Sequence, residues 1–293
     1  MAEPLSFEMV SVGNASNAVD PATGFGSVAY NFEIAKYDVT ISDYVAFLNA
    51  VAKADPNRLY NPKMASDLMI AGIRREGIYG RFVYSAIAPS GGVQDPSATA
   101  GGRPITYVSW FDAARFANWM SNGQPTGRQS ARTTENGAYD LTKPAASRGI
   151  AVPKNAINPN THQKPIFYIP SENEWYKAAY YNPDLNEGAG GYTLYATNTN
   201  TAPGNVAGSS VNQVNYVAQG KFAVTQQLSL DTEQNYLTNV GTFTTTPGPY
   251  RTFDMNGSVW EMTDMDGSAS PVRMIRGGGW TSYYSYLQSD YRL

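Results

Sequence analysis

Three stretches of the chain combine a helix-capping signature with apolar residues at helical spacing. Thr40 can cap a helix whose third residue is Asp43. Residues 109–112, Ser-Trp-Phe-Asp, form a second capping signature, and residues 171–174, Ser-Glu-Asn-Glu, form a third. The sequence therefore predicts three short helices, which begin after Thr40, Ser109 and Ser171. The apolar face of the first consists of Ile41, Tyr44, Val45, Leu48 and Val51.

Short apolar runs near both ends of the chain predict strands. Residues 7–12 and 28–37 flank a Gly- and Asn-rich stretch and predict an N-terminal hairpin. Residues 259–262 and 272–275 predict two strands near the C-terminus, and residues 167–170 predict one before the third helix. These strands and the three helices favour an α+β class.

The remaining segments contain little periodicity. Runs at residues 68–73 and 79–84 predict a small sheet or packed loops. Residues 121–164 are interpreted as a surface insertion, and residues 182–248 as a loop-rich region. Because neither a linker composition nor an internal repeat interrupts the chain, residues 1–293 are predicted to form one domain.

Composition excludes several classes of function. Charged residues make up 15%, the net charge is -3, and the scattered Lys and Arg residues argue against a nucleic-acid-binding surface. No apolar run approaches the roughly 20 residues that a membrane-spanning helix needs. Low charge with abundant Tyr and Asn favours an extracellular or cell-surface location, with a cytoplasmic one left open. The first residues lack the features of a signal peptide, so an exported form is expected to begin here after removal of its leader.

The chain has no cysteine, which excludes disulfides, thiolate metal sites and thiol nucleophiles. It has one histidine, His162, in a polar loop, and a single imidazole cannot form a multi-histidine centre. Two pairs of carboxylates were considered for acid–base chemistry. Glu172 with Glu174 is better explained by helix capping, and Asp264 with Asp266 by a loop.

Four motifs occur in an order that resembles the formylglycine-generating enzyme (sulfatase-modifying factor) family. They are RPITYVSWFDAA at 103–114, YIPSENEW at 168–175, DMNGSVWE at 254–261 and IRGGGW at 275–280. Residues 37–40 and the helix after them match the family's opening element. The resemblance implies a variant of the C-type lectin fold. That fold is expected to have a twisted mixed sheet, about three short helices and much irregular loop.

The resemblance does not extend to the chemistry of the family's oxidases. In those enzymes two cysteines after the Gly-Gly-x-aromatic motif bind copper and oxidise a substrate cysteine to formylglycine. The positions that correspond by spacing are Ser282 and Leu287, which cannot supply the soft thiolates that select Cu(I). We therefore expect no copper and no formylglycine-generating activity. A related iron-dependent sulfoxide synthase branch would need several histidines.

A second departure from the family lies at the end of the sequence. Family members usually continue to a final strand, whereas this sequence stops at Arg292 and Leu293. The expectation is that the final strand is absent. The sheet edge would then be covered by an N-terminal segment, or left open for pairing with another copy of the chain.

The resemblance also implies structural calcium. The turn at 256–261 offers the backbone carbonyls of Asn256, Gly257 and Val259 together with the Glu261 carboxylate, and Ca²⁺ prefers such hard oxygen ligands. The alternative is that Glu261 bonds to turn amides or pairs with Arg276. A weaker second site would combine Asn215, the Tyr216 carbonyl and Asp231.

The C-terminal aromatic run is the candidate binding surface. Trp280 is predicted to anchor the core, and the residues after it interleave Tyr with Ser, a composition typical of binding surfaces. The alternative is strand alternation that buries half of them. The same position is where diversity-generating retroelements place variable residues in related lectin-fold display proteins. The candidate ligand-binding residues are Ser282, Tyr283, Tyr284, Tyr286 and Tyr291.

Together these observations predict a non-catalytic binding or structural surface module whose ligand is a protein or a glycan. Two alternatives stay open. The first is a self-assembling surface or filament subunit, suggested by low charge, abundant Tyr and Asn, and the missing last strand. The second is an enzyme of unrelated chemistry in the same cleft.

Overall fold

The computed structural model describes residues 3–92, 99–142, 152–208, 211–264 and 273–293. Over these residues the chain has short helices and five two-stranded antiparallel ladders, which confirms the α+β class. The helices are α1 (Ile41–Val51), α2 (Lys63–Ser66), α3 (Trp110–Ser121), α4 (Glu172–Tyr180), α5 (Leu185–Gly188) and a 3₁₀ helix (Tyr284–Leu287). The ladders pair β1 (Met9–Val12) with β2 (Phe32–Ala35), β3 (Ile73–Glu76) with β4 (Val83–Ala86), β5 (Tyr181–Asn182) with β6 (Gly191–Tyr192), β7 (Val217–Ala218) with β8 (Lys221–Phe222), and β9 (Glu261–Met262) with β10 (Ile275–Arg276).

The three predicted helices are confirmed, and each begins with a reciprocal capping box. Thr40 Oγ1 accepts a hydrogen bond from the Asp43 amide at 3.2 Å, and the Asp43 carboxylate accepts from the Thr40 amide at 2.8 Å. Ser109 with Asp112 and Ser171 with Glu174 repeat this arrangement at α3 and α4. Short-range capping therefore fixes where each helix begins.

The strands are shorter than their sequence patterns predict. The N-terminal hairpin is confirmed, although its ladder pairs only four residues on each strand, β1 with β2. Residues 167–170 form no ladder, and the pairing next to them is a parallel bridge between Ser171 and Asp264. Val272, at the start of a predicted strand, and Asp266 lie outside the described residues.

The first core forms where α1 packs against α3. Phe47 is fully buried, and its ring centroid lies 5.3 Å from that of Phe116 and 5.2 Å from that of Trp119. Tyr44 and Leu48 on the same face of α1 are also buried, as the helical spacing predicts. Tilted and edge-on aromatic contacts of this kind add specific geometry to the burial of apolar area.

The prediction that residues 121–164 form a surface insertion is wrong for the part around Tyr139. Tyr139 is fully buried, and its ring centroid lies 5.4 Å from that of Trp110. Its backbone is held by Asn118 of α3, whose amide donates to the Tyr139 carbonyl at 3.0 Å and accepts from the Tyr139 amide at 2.7 Å. Bonds from a buried side-chain amide replace a strand ladder here, so no periodicity marks the segment.

A second core surrounds α4. Trp175, Tyr176 and Tyr180 are buried, and the Trp175 and Tyr180 ring centroids lie 5.8 Å apart. This cluster packs on Val12 of β1 and on Met255, which precedes the turn predicted to carry the site. The core around α4 therefore packs against Met255, the residue that precedes this turn.

The helices of the described segments are too short and too polar to cross a lipid bilayer.

Candidate functional site

The turn after Phe253 has an unusual backbone. Asp254, Gly257 and Ser258 have positive φ angles of 63°, 77° and 59°. A Cβ atom on Gly257 would lie 2.3 Å from the Asn215 carbonyl oxygen, so only glycine fits there. The Ser258 amide donates to this same carbonyl at 2.7 Å. The predicted turn is thus packed against, and hydrogen-bonded to, the loop that contains Asn215.

Asn256 in this turn joins three separate parts of the chain. It is 2% exposed, its Oδ1 atom accepts from the Ala196 amide at 2.8 Å, and its Nδ2 atom donates to the Leu287 carbonyl at 2.9 Å. Leu287 is the last residue of the 3₁₀ helix. The turn therefore fixes the backbone of the C-terminal segment.

Arg276 in β10 holds the residues that follow this helix. Its guanidinium forms a buried ion pair with Glu172 at 2.7 Å. It also donates to the carbonyls of Ser289 at 2.9 Å and Tyr291 at 3.1 Å. Arg292 adds a second ion pair to Glu172 at 3.0 Å. The alternative in which Arg276 pairs with Glu261 is therefore wrong.

The last residue of the sequence pairs with β10. Ile275 donates to the Leu293 carbonyl at 2.8 Å, and Leu293 donates to the Ile275 carbonyl at 3.2 Å. The sequence left coverage by an N-terminal segment and pairing with another copy of the chain open, whereas at Ile275 the strand β10 is paired with Leu293 of the same chain.

The aromatic segment, residues 280–291, divides into buried and exposed positions. Ser282 is only 5% exposed, and its hydroxyl accepts from the Gly279 amide at 2.9 Å, so its predicted place on a binding surface is corrected to the interior. Tyr283 and Tyr284 are 57% and 55% exposed. Helical turns of the 3₁₀ helix, rather than strand alternation, decide which side chains face outward.

Two further tyrosines of the segment are half-buried and pack together. The ring centroids of Tyr286 and Tyr291 lie 4.7 Å apart in an edge-on contact. Both contact Trp260, at 6.3 Å and 6.0 Å. These two predicted ligand-binding residues therefore form an aromatic cluster around Trp260, and only part of each ring is accessible.

A cleft of about 1610 Å³ runs beside this cluster. Its walls include Trp260, Trp280 and Thr281 at one side and residues of the N-terminal hairpin at the other. Trp280 is half-buried rather than fully in the core as predicted, and its ring is stacked on Tyr236 at 4.7 Å with an interplanar angle of 7°. The cleft wall thus includes the side chains of two tryptophans, Trp260 and Trp280.

Comparison with protein families decides which fold this is. The family model of the sulfatase-modifying factor enzyme 1-like domain matches residues 7–293. The chain belongs to this family. The match covers nearly the whole chain, as the four sequence motifs predict.

Two solved structures resemble this family member at low identity. One is described as "Crystal Structure of CarF", with a TM-score of 0.46, 18% identity, and coverage of 98% of this chain and 97% of that chain. The other is Treponema denticola variable protein 1, with a TM-score of 0.43, 14% identity, and coverage of 97% and 88%. These low TM-scores define neither a ligand nor an activity. A comparison with curated proteins gave no match.

Ser282 and Leu287, the positions expected from their spacing to correspond to the oxidase cysteines, are both interior. Leu287 is fully buried, and it lies on the inner side of the 3₁₀ helix opposite the exposed tyrosines. Ser282 is fixed by its bond to Gly279. In this family member the positions used elsewhere for thiol chemistry contribute to packing.

Two carboxyl groups of the cleft wall lack part of their hydrogen bonding. Glu261 Oε2 accepts from the Trp175 indole at 2.9 Å, whereas Glu261 Oε1 and Asp38 Oδ2 are buried without a partner. Burial raises the pKa of Glu261 to about 8, with a further contribution from the charge of Asp254. Burial, then Glu261 and Asp254, raise the pKa of Asp38. Sequence reasoning missed Asp38, since nothing local links it to a residue more than two hundred positions away.

The calcium site predicted at Asn256, Gly257, Val259 and Glu261 stays a prediction. Its one side-chain ligand, Glu261, has a buried carboxyl oxygen without a hydrogen-bond partner, and a cation at this oxygen would favour the ionised carboxylate. Within the described ranges, no three His, Cys, Asp or Glu side chains come together as a metal-binding group. Calcium would therefore depend on backbone carbonyls, with Glu261 as the side-chain ligand.

The second predicted metal site is not assembled. Asn215 is buried and donates to the Tyr236 carbonyl at 2.9 Å, while the amide of the exposed Asp231 donates to the Tyr236 hydroxyl at 2.8 Å. The two residues thus bond to opposite ends of one tyrosine. Their side chains do not converge on a common point.

Proposed function

We propose that this chain is a non-catalytic binding module that recognises a protein or glycan through its aromatic segment and the adjoining cleft. The observation that carries the proposal is the exposure of Tyr283 and Tyr284, which lie next to each other at the start of the 3₁₀ helix. Tyr is enriched among the residues that dominate binding energy at interfaces.

The rigidity of the segment supports the same proposal. Its backbone is bonded to Asn256 at Leu287 and to Arg276 at Ser289 and Tyr291. The exposed tyrosines therefore need little ordering when a partner binds, which reduces the entropic cost of association. Trp260 and Trp280 extend the aromatic area from the segment into the cleft.

The position of the former thiol pair supports the absence of the family's oxidase chemistry. The chain has no cysteine, and Ser282 and Leu287 are packed in the interior. The scaffold is retained while the reactive groups are replaced by a hydroxyl and an alkyl side chain. The function proposed for this scaffold is therefore binding rather than cysteine oxidation.

The test is a binding measurement on a double variant. The wild-type chain would be screened against a printed glycan panel and a displayed protein library, and its best probe measured by interferometry. Tyr283→Ala with Tyr284→Ala should weaken that probe at least tenfold, as expected when central interface tyrosines are truncated. Tyr79→Ala, at a side chain that is 70% exposed on another element, is the matched control. Unchanged affinity in the folded double variant would refute the proposal.

We also propose that Ca²⁺ supports the turn beneath the segment. The carbonyls of Asn256, Gly257 and Val259 with the Glu261 carboxylate would hold the ion. A divalent cation would favour the ionised form of Glu261 and offset its repulsion of Asp38. The ion would thereby stabilise the turn that fixes the 3₁₀ helix.

A further inference from the structure

The β3–β4 hairpin presents an apolar tip far from the aromatic segment in sequence. Ile78 and Tyr79 are each 70% exposed, and Val83 is 59% exposed. The tip is a tight turn in which the Arg81 amide donates to the Ile78 carbonyl at 2.8 Å and Gly80 has a φ of 87°. Such a hydrogen-bonded turn with glycine at its third position is well defined. The hairpin therefore holds its apolar side chains outward in water.

Two neighbouring segments lie against this hairpin. The Phe82 amide donates to the Lys53 carbonyl at 3.1 Å, which places the loop after α1 beside the tip. The loop after α3 joins them, because the Gly127 amide donates to Ala50 at 2.9 Å and Gln129 donates to Asp55 at 3.0 Å.

Basic residues occur on all three segments. Within residues 52–62, 73–86 and 122–130, five of the chain's 21 Lys and Arg residues have exposed side chains. Together with Ile78, Tyr79 and Val83 they define what is called here the basic hairpin surface. The five are Lys53, Arg58, Arg74, Arg81 and Arg128.

The acidic residues of the same region offset little of this charge. Asp55 is 7% exposed and is bonded to the Leu59 and Tyr60 amides, with Arg75 at 3.9 Å. Glu135 is paired with Arg115 at 2.9 Å. Glu76 is exposed and lies 4.0 Å from Arg74. The exposed part of the surface is therefore basic, although the chain as a whole carries a net charge of -3.

We propose that the basic hairpin surface docks on an anionic lipid bilayer, with Ile78 and Tyr79 entering the interface between headgroups and acyl chains. Basic residues are attracted to the negative surface of such a membrane. Aromatic and aliphatic side chains gain free energy when they leave water at that interface. Tyr also suits the interface because its ring is apolar and its hydroxyl is polar.

The combination of groups favours a lipid surface over nucleic acid. Phosphate-backbone contacts use Lys and Arg but do not remove aliphatic side chains from water. Here Ile78 and Tyr79 at the turn are apolar and 70% exposed, and Arg81 lies in the same turn. A bilayer surface satisfies both sets of groups at the same time.

The test is vesicle co-sedimentation of the full chain with phosphatidylcholine vesicles and with vesicles that also contain phosphatidylserine. Binding is expected only with the anionic vesicles and should weaken as salt is added. Arg74→Gln with Arg81→Gln should reduce the partition coefficient about fivefold per charge, or roughly 25-fold for the pair. Ile78→Ser with Tyr79→Ser should also reduce vesicle binding. This reduction should persist when salt is added, because the apolar contribution does not depend on charge.

Matched controls separate this surface from general charge effects. Lys221→Gln with Arg251→Gln removes two exposed basic residues on other elements and should leave vesicle binding nearly unchanged. Tyr283→Ala with Tyr284→Ala should also leave it unchanged, so this proposal and the proposed function fail independently. Equal loss in the Lys221 and Arg251 control would overturn the proposal, as would equal binding to neutral vesicles. Tighter binding of a short DNA duplex than of anionic vesicles would overturn the choice of lipid.

Discussion

The α1–α3 core and the C-terminal region are held together by different interactions. The first is built from side chains such as Phe47, Phe116 and Trp119, which bury apolar area between two helices. In the second, ladders are only two residues long, and buried polar side chains bond to the backbone. Asn205, Asn215 and Asn256 each donate to a carbonyl of a distant loop.

An irregular region with few ladders is held together by hydrogen bonds from buried side chains. Every buried backbone group needs a partner, and a region with few ladders must find those partners among side chains. A carboxamide is well suited because it carries a donor and an acceptor on one short side chain. The stability of the α1–α3 core therefore depends on the volume of its buried apolar side chains. The stability of the C-terminal region depends on single donor and acceptor atoms of its buried polar side chains.

The largest effect is expected in the helical core. Phe47→Ala removes a fully buried ring and leaves a cavity between α1 and α3, so the free energy of unfolding should fall by about 3–5 kcal/mol. Urea denaturation monitored by circular dichroism measures this change. Phe47→Leu keeps most of the volume and should cost much less. A loss below about 1 kcal/mol for the Ala variant would show that this core is not dominated by volume.

The next effect tests the polar side of the comparison. Asn256→Ala leaves the Ala196 amide and the Leu287 carbonyl without their partner, and the unfolding free energy should fall by about 2–3 kcal/mol. Hydrogen exchange should show lost protection around the 3₁₀ helix and unchanged protection in α1.

Asn200→Ala is the matched control for this variant. Asn200 is exposed and accepts one bond from the Leu194 amide at 2.8 Å, so its loss should cost less than about 1 kcal/mol. Equal destabilisation by the two substitutions would contradict the special role of the buried amide.

Removal of calcium should give an effect close to that of Asn256→Ala. If the ion binds at the turn, a concentration one hundred times its dissociation constant stabilises the fold by about 2.7 kcal/mol, which a chelator would remove. A thermal melt with and without chelator measures the shift. Glu261→Gln should abolish the difference between the two melts. A wild-type melting temperature that is indifferent to the chelator would exclude calcium from this turn.

The smallest effect is expected at a helix cap. Thr40→Ala removes the hydroxyl that accepts from the Asp43 amide and should cost about 1 kcal/mol in unfolding free energy. Thr40→Ser retains the acceptor and should be nearly neutral. A cost for the Ser variant equal to that of the Ala variant would mean that the methyl group, not the hydrogen bond, matters.

The predictable elements are those whose cause is local. Capping boxes at Thr40, Ser109 and Ser171 place donor and acceptor three residues apart, and all three helices begin as the sequence predicts. The buried position of Tyr139 could not be read in the same way. It depends on Asn118, which is twenty-one residues earlier and on another element.

The site was predictable only in outline. The composition of the aromatic segment indicates a surface, and Tyr283 and Tyr284 are indeed exposed. Ser282 was misplaced because residue type does not reveal a bond to the Gly279 amide. The contact of Glu261 with Trp175 joins two motifs that the sequence places eighty-six residues apart. Such long-range pairs arise from tertiary packing, for which a single sequence carries no periodic signal.

The anchoring of the aromatic segment through its carbonyl groups has an evolutionary consequence. Asn256 and Arg276 donate hydrogen bonds to the backbone carbonyls of Leu287, Ser289 and Tyr291. These bonds do not depend on which side chains point outward from the segment. Positions 283 to 285 can accept new residues without disturbing the architecture. A lineage that shuffled these codons would obtain new specificities on an unchanged frame. A nearby template copy of the gene that differs from it only at adenines would be the genomic trace of that process.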